Sequence, residues 1–312
     1  MATGLPLILY ENRFNDAVPV ASSTAAGNFN VLNLRDWRAY TWWKPAAMPA
    51  TVTVDCGSAK AADYAVVYGH DLGTKGATIE IRASTDNFAA SDALIATKTP
   101  ADDKPFLLQW ASAAYRYWRI KVTGATAPSL AIAAVGAALQ LPEYLPHGFD
   151  PLGRKPKGQS NKSEAGHPLG KVFEFEEWSE SVNLRNVSWA WLRNTWQPAW
   201  EAHLRGSPFA FAWDPTDHAS ELYLVSIKDE FRTPHHIDAD IRFDIVGRAP
   251  LTSAHCAGRT RRKPRCSSTP RPLCACRKIE RRVNTSSVGA MPATTSNPSA
   301  TSTTRAASAY WR

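Results

Sequence analysis

The feature that most constrains this chain is a two-residue hydrophobic period. It comes in short bursts from Leu5 to about Leu141 and returns after Lys171. In TIEIRAST, Ile79, Ile81 and Ala83 alternate with Thr78, Glu80, Arg82 and Ser84; in YWRIKV, Trp118, Ile120 and Val122 alternate with Arg119 and Lys121. A strand sends successive side chains to opposite faces, so such text buries one face and wets the other. With TVTVDCG at 51 and YAVVYGH at 64, the strands recur about every dozen residues between turns, the pattern of a β-sandwich.

A chain of 312 residues suits two cores of about 100 to 150 residues each. The stretch 145–170 is rich in Gly, Pro, Lys and Ser without an apolar period, which reads as a linker or long loop. The expected organisation is therefore a jelly-roll domain at 1–142, a linker at 143–170, a second domain at 171–250 and a basic tail at 251–312. In the second domain, KVFEFEEW is expected to bury an aromatic face through Phe173 and Phe175, with Glu174 and Glu176 opposite. Trp189, Leu192, Trp196, Trp200 and Leu204 then recur at spacings of three and four, the stripe of an amphipathic helix. Pro198 should kink or restart it. The strands PFAFAWDP, ELYLVSIKDEF and DADIRFDIVG close the domain. The fold class expected is mainly β, two sandwiches with one helix flanking the second.

The net charge of +8 invites a nucleic-acid reading, but its distribution argues otherwise. Residues 251–312 carry 12 of the 36 basic residues and one of the 28 acids, which leaves 24 basic against 27 acidic residues before them. The folded part is mildly acidic, so nucleic acid is not an expected partner. The tail has almost nothing to bury and is expected to be disordered, or else translated in a shifted reading frame. No run approaches the roughly 18 apolar residues of a membrane span. The start of the chain lacks the basic region of a signal peptide, so synthesis in a cytoplasm is expected. Cys56 is the one cysteine before residue 251, so packing rather than disulfides must hold the fold. Cys256, Cys266, Cys274 and Cys276, with His255, lack the close pairing of a zinc knuckle.

A nucleophile elbow, a phosphate-binding loop, a dinucleotide turn and a zinc-protease helix are absent from residues 1–250. Glu174, Glu176, Glu177 and Glu180 read as a solvated strand face, and His235, His236, Asp238 and Asp240 as a polar turn. No catalytic residue, metal or cofactor is expected, and the chain is read as a non-enzyme. The segment RDWRAYTWWKP stands out, with Trp37, Tyr40, Trp42 and Trp43 between Arg35 and Lys44. These aromatics can stack on sugar rings, or they can plug the end of the sandwich or anchor a protein interface. Both readings stay open.

The order NLRDWRAYTWWKP, VTVDCG at 52–57, ATIEIRASTD and YWRIKV at 117–122 resembles the discoidin, or coagulation-factor C-type, domain over roughly residues 20–140. That resemblance implies a galactose-binding-like jelly roll, here without the disulfide that usually ties its termini. Residues 171–248, with FEFEEWSES, the helix, FAFAWDP, ELYLVSIKDEF and DIRFDIVG, are similar to minor and distal tail proteins of siphophages. This second resemblance implies a tail-tube-like domain in a virion. Its expected role is a homo-oligomeric ring at the tail tip or baseplate, touching tail-tube and hub proteins. The jelly roll would then meet neighbouring proteins or host surface glycan. A stand-alone carbohydrate-binding module is the alternative.

Overall fold

The protein is described by a computed structural model covering residues 4–234 and 239–248, apart from the side chains of Lys171, Asp229 and Arg248. The expectations for the tail and its cysteines, and for His235, His236 and Asp238, lie outside the described residues.

The N-terminal half holds β1 (Leu7–Leu9), β2 (Val20–Ala21), β3 (Ala50–His70), β4 (Thr78–Ser84), β5 (Ala93–Lys98), β6 (Phe106–Thr123), β7 (Leu130–Gly136) and β8 (Leu139–Gln140). One sheet runs β2-β3-β6-β4-β5, with β7 also on β3. The strands β3 and β6 serve two layers. They pair from Ala50↔Val122 to Asp55↔Tyr117, slip, and pair again from Lys60↔Tyr115 to Val67↔Phe106. Such a slip lets two strands turn a corner together and fold the sheet over itself. Val52, Ile79, Ile81, Trp118 and Ile120 of the outer layer thereby meet Ala65, Val67, Ala133 and Val135 of the inner layer in one core.

The second half adds β9 (Lys155–Lys162), β10 (Pro168–Val187), a helix over 189–204, β11 (Phe209–Ala212), β12 (Leu222–Arg232) and β13 (Ala239–Arg248). Its sheet has seven strands in the order β8-β1-β11-β12-β13-β10-β9. Two of them come from the other half: Leu7, Ile8 and Leu9 pair with Ala212, Phe211 and Ala210, and β8 pairs with β1. The fold is thus mainly β, two antiparallel sheets with one helix.

Side-chain size explains how these layers stack. On β11, Phe209 and Phe211 point into the core shared with Leu192, Trp196 and Leu204 of the helix, while Ala210 and Ala212 point the other way. On that other side lie Leu7, Leu9 and Leu222, packed against Tyr64, Val66, Ala131, Ile132 and Ala134 of the sandwich's inner layer. All of β7 is therefore buried on both faces, which accounts for its unbroken apolar text LAIAAVG. Polar bonds fix the crossing. The Tyr64 hydroxyl donates to the Glu11 carbonyl at 2.5 Å, and Arg13 donates twice to the Ala61 carbonyl, at 3.0 and 2.6 Å. Gly136 sits where a Cβ would lie 2.0 Å from the Glu11 carbonyl oxygen, so no larger residue fits.

Three local features depart from, or refine, the sequence reading. Within the stretch expected to be a linker, β9 pairs with β10 from Lys155↔Glu177 to Lys162↔Pro168. The expected buried aromatic face of KVFEFEEW is corrected: Val172, Phe173 and Phe175 are exposed, at 63%, 49% and 37%. Period-two text gives a strand two faces but does not supply a layer to cover one of them, and here β10 has outrun the body and pairs only with β9. The helix runs through Pro198 by widening. Gln197 N–H reaches back five residues to the Leu192 carbonyl, a new turn starts at Gln197 with Pro198 in it, and Arg205 N–H again reaches back five, to Trp200. Among the described residues no helix is long and apolar enough to cross a membrane.

Replacing Ala210 by Leu forces extra carbon between the two sheets. We expect a loss of about 1–3 kcal/mol in a urea melt followed by tryptophan fluorescence.

Candidate functional site

The outer layer of the sandwich leaves a face open to solvent, and a groove of about 430 Å³ crosses it. Its floor is set by register. Thr53 lies opposite Arg119 and Asp55 opposite Tyr117, while Val20 of the short β2 pairs with Thr53 and walls one side. Asn87, on the loop between β4 and β5, closes the other side. The period of two explains this lining: Val52, Val54, Trp118 and Ile120 fill the core, so Thr51, Thr53, Asp55, Tyr117 and Arg119 must face out.

The Asn87 loop is held by one buried serine. Ser84 Oγ accepts from Asp86 N–H at 3.0 Å and Phe88 N–H at 2.9 Å, and its hydroxyl donates to Asp86 Oδ1 at 2.7 Å. Asp86 in turn accepts from Ala90 and Ser91. Asn87 and Phe88 take left-handed backbone, φ 58° and 66°, a conformation that costs a bulky residue about 1 kcal/mol or more. What this loop achieves is the placement of the Phe88 ring, which lies 3.5 Å from the Arg119 guanidinium carbon. Arg119 Nε donates to Thr53 Oγ1 at 2.8 Å, so the guanidinium is fixed from below and from one side. Partial burial lowers its pKa, the direction expected when a cation loses water.

Asp55 is engaged differently. It accepts two bonds of 2.8 Å from Arg116 and one from Gly57 N–H, and the Arg116 bonds foremost hold its carboxyl down to about 2. Buried Cys56 has its thiol pushed up to about 12 by burial, then by Asp16, so it is no nucleophile at neutral pH. Among the described residues no three His, Cys, Asp or Glu side chains gather as a metal site.

The four aromatics singled out in the sequence part company. Trp43 is fully buried, because its N–H and carbonyl bridge to Leu130 at 2.8 and 2.9 Å and turn its ring into the sandwich core. That bridge sends the adjacent Trp42 outward, 40% exposed, and Asn33 Nδ2 ties the Trp42 carbonyl at 2.8 Å. Trp37 is 5% exposed, in left-handed backbone with φ 57°, and its ring meets His203 of the helix edge-on at 5.9 Å. It anchors an interface within the chain. Tyr40 is 68% exposed. Only Tyr40 and Trp42 can touch a ligand without rearrangement. The groove residues Asn87, Tyr117 and Arg119 escaped the sequence reading, although the outward set of YWRIKV and the turn signal STDN were its available traces.

A second cavity, of about 530 Å³, lies between the segment 144–151 and the turn 213–217. Tyr144, Phe149 and Trp213 are its aromatic lining; Trp213 stacks on His218 at 4.7 Å and donates to Glu221 Oε2 at 2.9 Å, and Phe149 lies against Trp213 at 6.3 Å.

No protein-family model and no curated protein matches this chain. Among solved structures it is similar to three sugar-binding modules. One is chitosan-binding module 1 of a chitosanase/glucanase from Paenibacillus sp. IK-5, with 19% identity over 40% of this chain and 98% of that one and a TM-score of 0.35. Another is the module CpGH89CBM32-5 of Clostridium perfringens in complex with GalNAc-β-1,3-galactose, at 15% identity, 42% and 99% coverage and a TM-score of 0.35. The third is the CBM32 of AlyQ in complex with 4,5-unsaturated mannuronic acid, at 20% identity, 41% and 96% coverage and a TM-score of 0.33.

Two outcomes are expected from the groove's construction. Ser84→Ala strands two loop N–H groups and should cost about 1–3 kcal/mol, with faster amide exchange confined to 85–92. Arg116→Gln should return the Asp55 carboxyl from about 2 toward about 3.9 in a carboxyl NMR titration. Because Asp55 is depressed in the folded state, what it adds to stability is present at neutral pH and lost as pH falls through its folded value.

Proposed function

We propose that this protein is a non-catalytic carbohydrate-binding protein that lays a sugar in the groove across β2, β3 and β6. The observation that carries this reading is the make-up of the groove. Hydroxyls of Ser22, Thr51 and Thr53, the amide of Asn87, the Arg119 guanidinium and the Tyr117 ring line one cleft on a sheet face. Sugars offer hydroxyl edges and an apolar CH face, which call for fixed polar forks beside an aromatic or aliphatic surface. The sheet fixes Thr51, Thr53, Tyr117 and Arg119 on rigid strands, and the loop held by Ser84 adds Asn87. Tyr40 and Trp42 are a second, aromatic contact in this reading, on the loop that leads into β3. No reaction is proposed.

A second reading is favoured by a separate feature, the β9–β10 hairpin with Val172 and Phe173 in water. A two-stranded ribbon with apolar side chains on view is the kind of edge that another chain covers. In that reading the chain is a ring-forming component of a phage tail tip or baseplate, carried in the virion and made in the host cytoplasm. Tail-tube and hub proteins are its partners there, and the jelly roll meets host glycan.

Glycan-array screening followed by titration calorimetry tests the first reading. Tyr117→Ala and Asn87→Gly, the latter chosen because glycine keeps the left-handed backbone, should each weaken the best glycan about five- to tenfold. Sedimentation and negative-stain imaging test the second, which expects closed rings that Phe173→Asp disperses. A chain that binds no glycan and stays monomeric at high concentration would sink both.

A further inference from the structure

We infer that the groove selects an acidic glycan, seating the carboxylate of a hexuronate residue on the Arg119 guanidinium; this rests on the carbohydrate-binding reading above. Four cations face outward from β4 and the second half of β6. Arg82 reaches Glu80 and Asp92 at 2.7 Å each, Arg116 clasps Asp55, and Lys121 lies 3.4 Å from Glu80. Arg119 is the one of these four without a carboxylate at ion-pair distance among the described residues.

It is nonetheless held as firmly as the others. Thr53 takes Nε–H and Phe88 covers one face of the guanidinium plane, which uses one of five N–H donors and leaves the terminal nitrogens for the groove. In the open groove those terminal N–H groups face water, which an acceptor of matching geometry can displace. The planar fork matches a carboxylate with two parallel bonds, a match that a lone hydroxyl cannot reproduce. Asp55, the carboxylate in the groove wall, has its charge offset by Arg116, so an incoming anion meets a positive balance. The hydroxyls of Thr51 and Ser22 and the amide of Asn87 remain for the sugar's own hydroxyls, which an acidic peptide would not supply.

The test is calorimetric titration of the full chain with an oligouronate and with the same oligosaccharide after its carboxyl groups have been reduced to alcohols. The wild-type protein should bind the acidic form about tenfold more tightly or better. Arg119→Gln, which keeps a donor near the Nε position for Thr53 but loses the charge and the fork, should erase that preference, and Arg119→Lys, which keeps charge but not the fork, should restore only part of it. Equal binding of both forms, untouched by Arg119→Gln, would overturn the inference while leaving the carbohydrate reading in place. Binding of neither form, in a protein that melts cooperatively and binds nothing on a glycan array, would remove that reading and the inference together. A sulfated oligosaccharide or polyglutamate held as tightly as the oligouronate would also overturn the assignment of a uronate carboxylate. If Arg119→Gln does not fold, Phe88→Ala gives the same readout, since it frees the guanidinium and should lower the acidic preference while sparing the reduced sugar.

Discussion

Everything in this structure depends on a thin apolar layer between two sheets. Ala210 and Ala212 on one side face Tyr64, Val66, Ala131 and Ala134 on the other, with Leu7, Leu9 and Leu222 completing the contact. Small side chains let the sheets approach closely, and the large ones of the same strands, Phe209 and Phe211, are spent on the helix side instead. Because this layer buries the inner face of the sandwich, it is the outer face of the sandwich that is left to carry the groove. The position of the groove is thus a consequence of packing far from it.

How the sequence encodes these layers differs from strand to strand. Where one face is wet, as in TIEIRAST and YWRIKV, alternation names both the strand and its inward set, and Ile79, Ile81, Trp118 and Ile120 lie in the core as that reading requires. Where both faces are dry, as in LAIAAVG, alternation vanishes and the text says only that the segment is apolar. The long-range pairing of Leu7–Leu9 with Phe209–Ala212 left no local trace at all, since three residues carry no period. Conversely, the alternation of KVFEFEEW is genuine strand text, yet among the described residues that part of β10 pairs with β9 and leaves Val172 and Phe173 exposed.

The site was less legible than the fold. A run of aromatics between charged residues marks a special segment, but burial depends on which carbonyl each backbone finds. The bridge from Trp43 to Leu130 decides that Trp43 is core and Trp42 is surface, and nothing in the pair of letters distinguishes them. The groove presents the opposite case: Arg119 looks like any outward cation in its strand, and its distinction lies in what surrounds it. Phe88 is brought over it by a loop whose shape hangs on Ser84, and its three neighbouring cations have taken the carboxylates of the face.

The placement of β1 bears on how the chain is made. Residues 7–9 leave the ribosome long before the strand they pair with, which spans 209–212. The sandwich can close once β7 has emerged, since β3, β6 and β7 need nothing from beyond it. Through the synthesis of some seventy further residues, β1 has only the two-residue β8 on one edge, and its other edge and the apolar inner face of that sandwich must wait, open to solvent or to whatever else is at hand. Vectorial synthesis therefore builds this molecule from the groove inward, and the grooved surface is complete before the part that will hold it to the rest of the body exists.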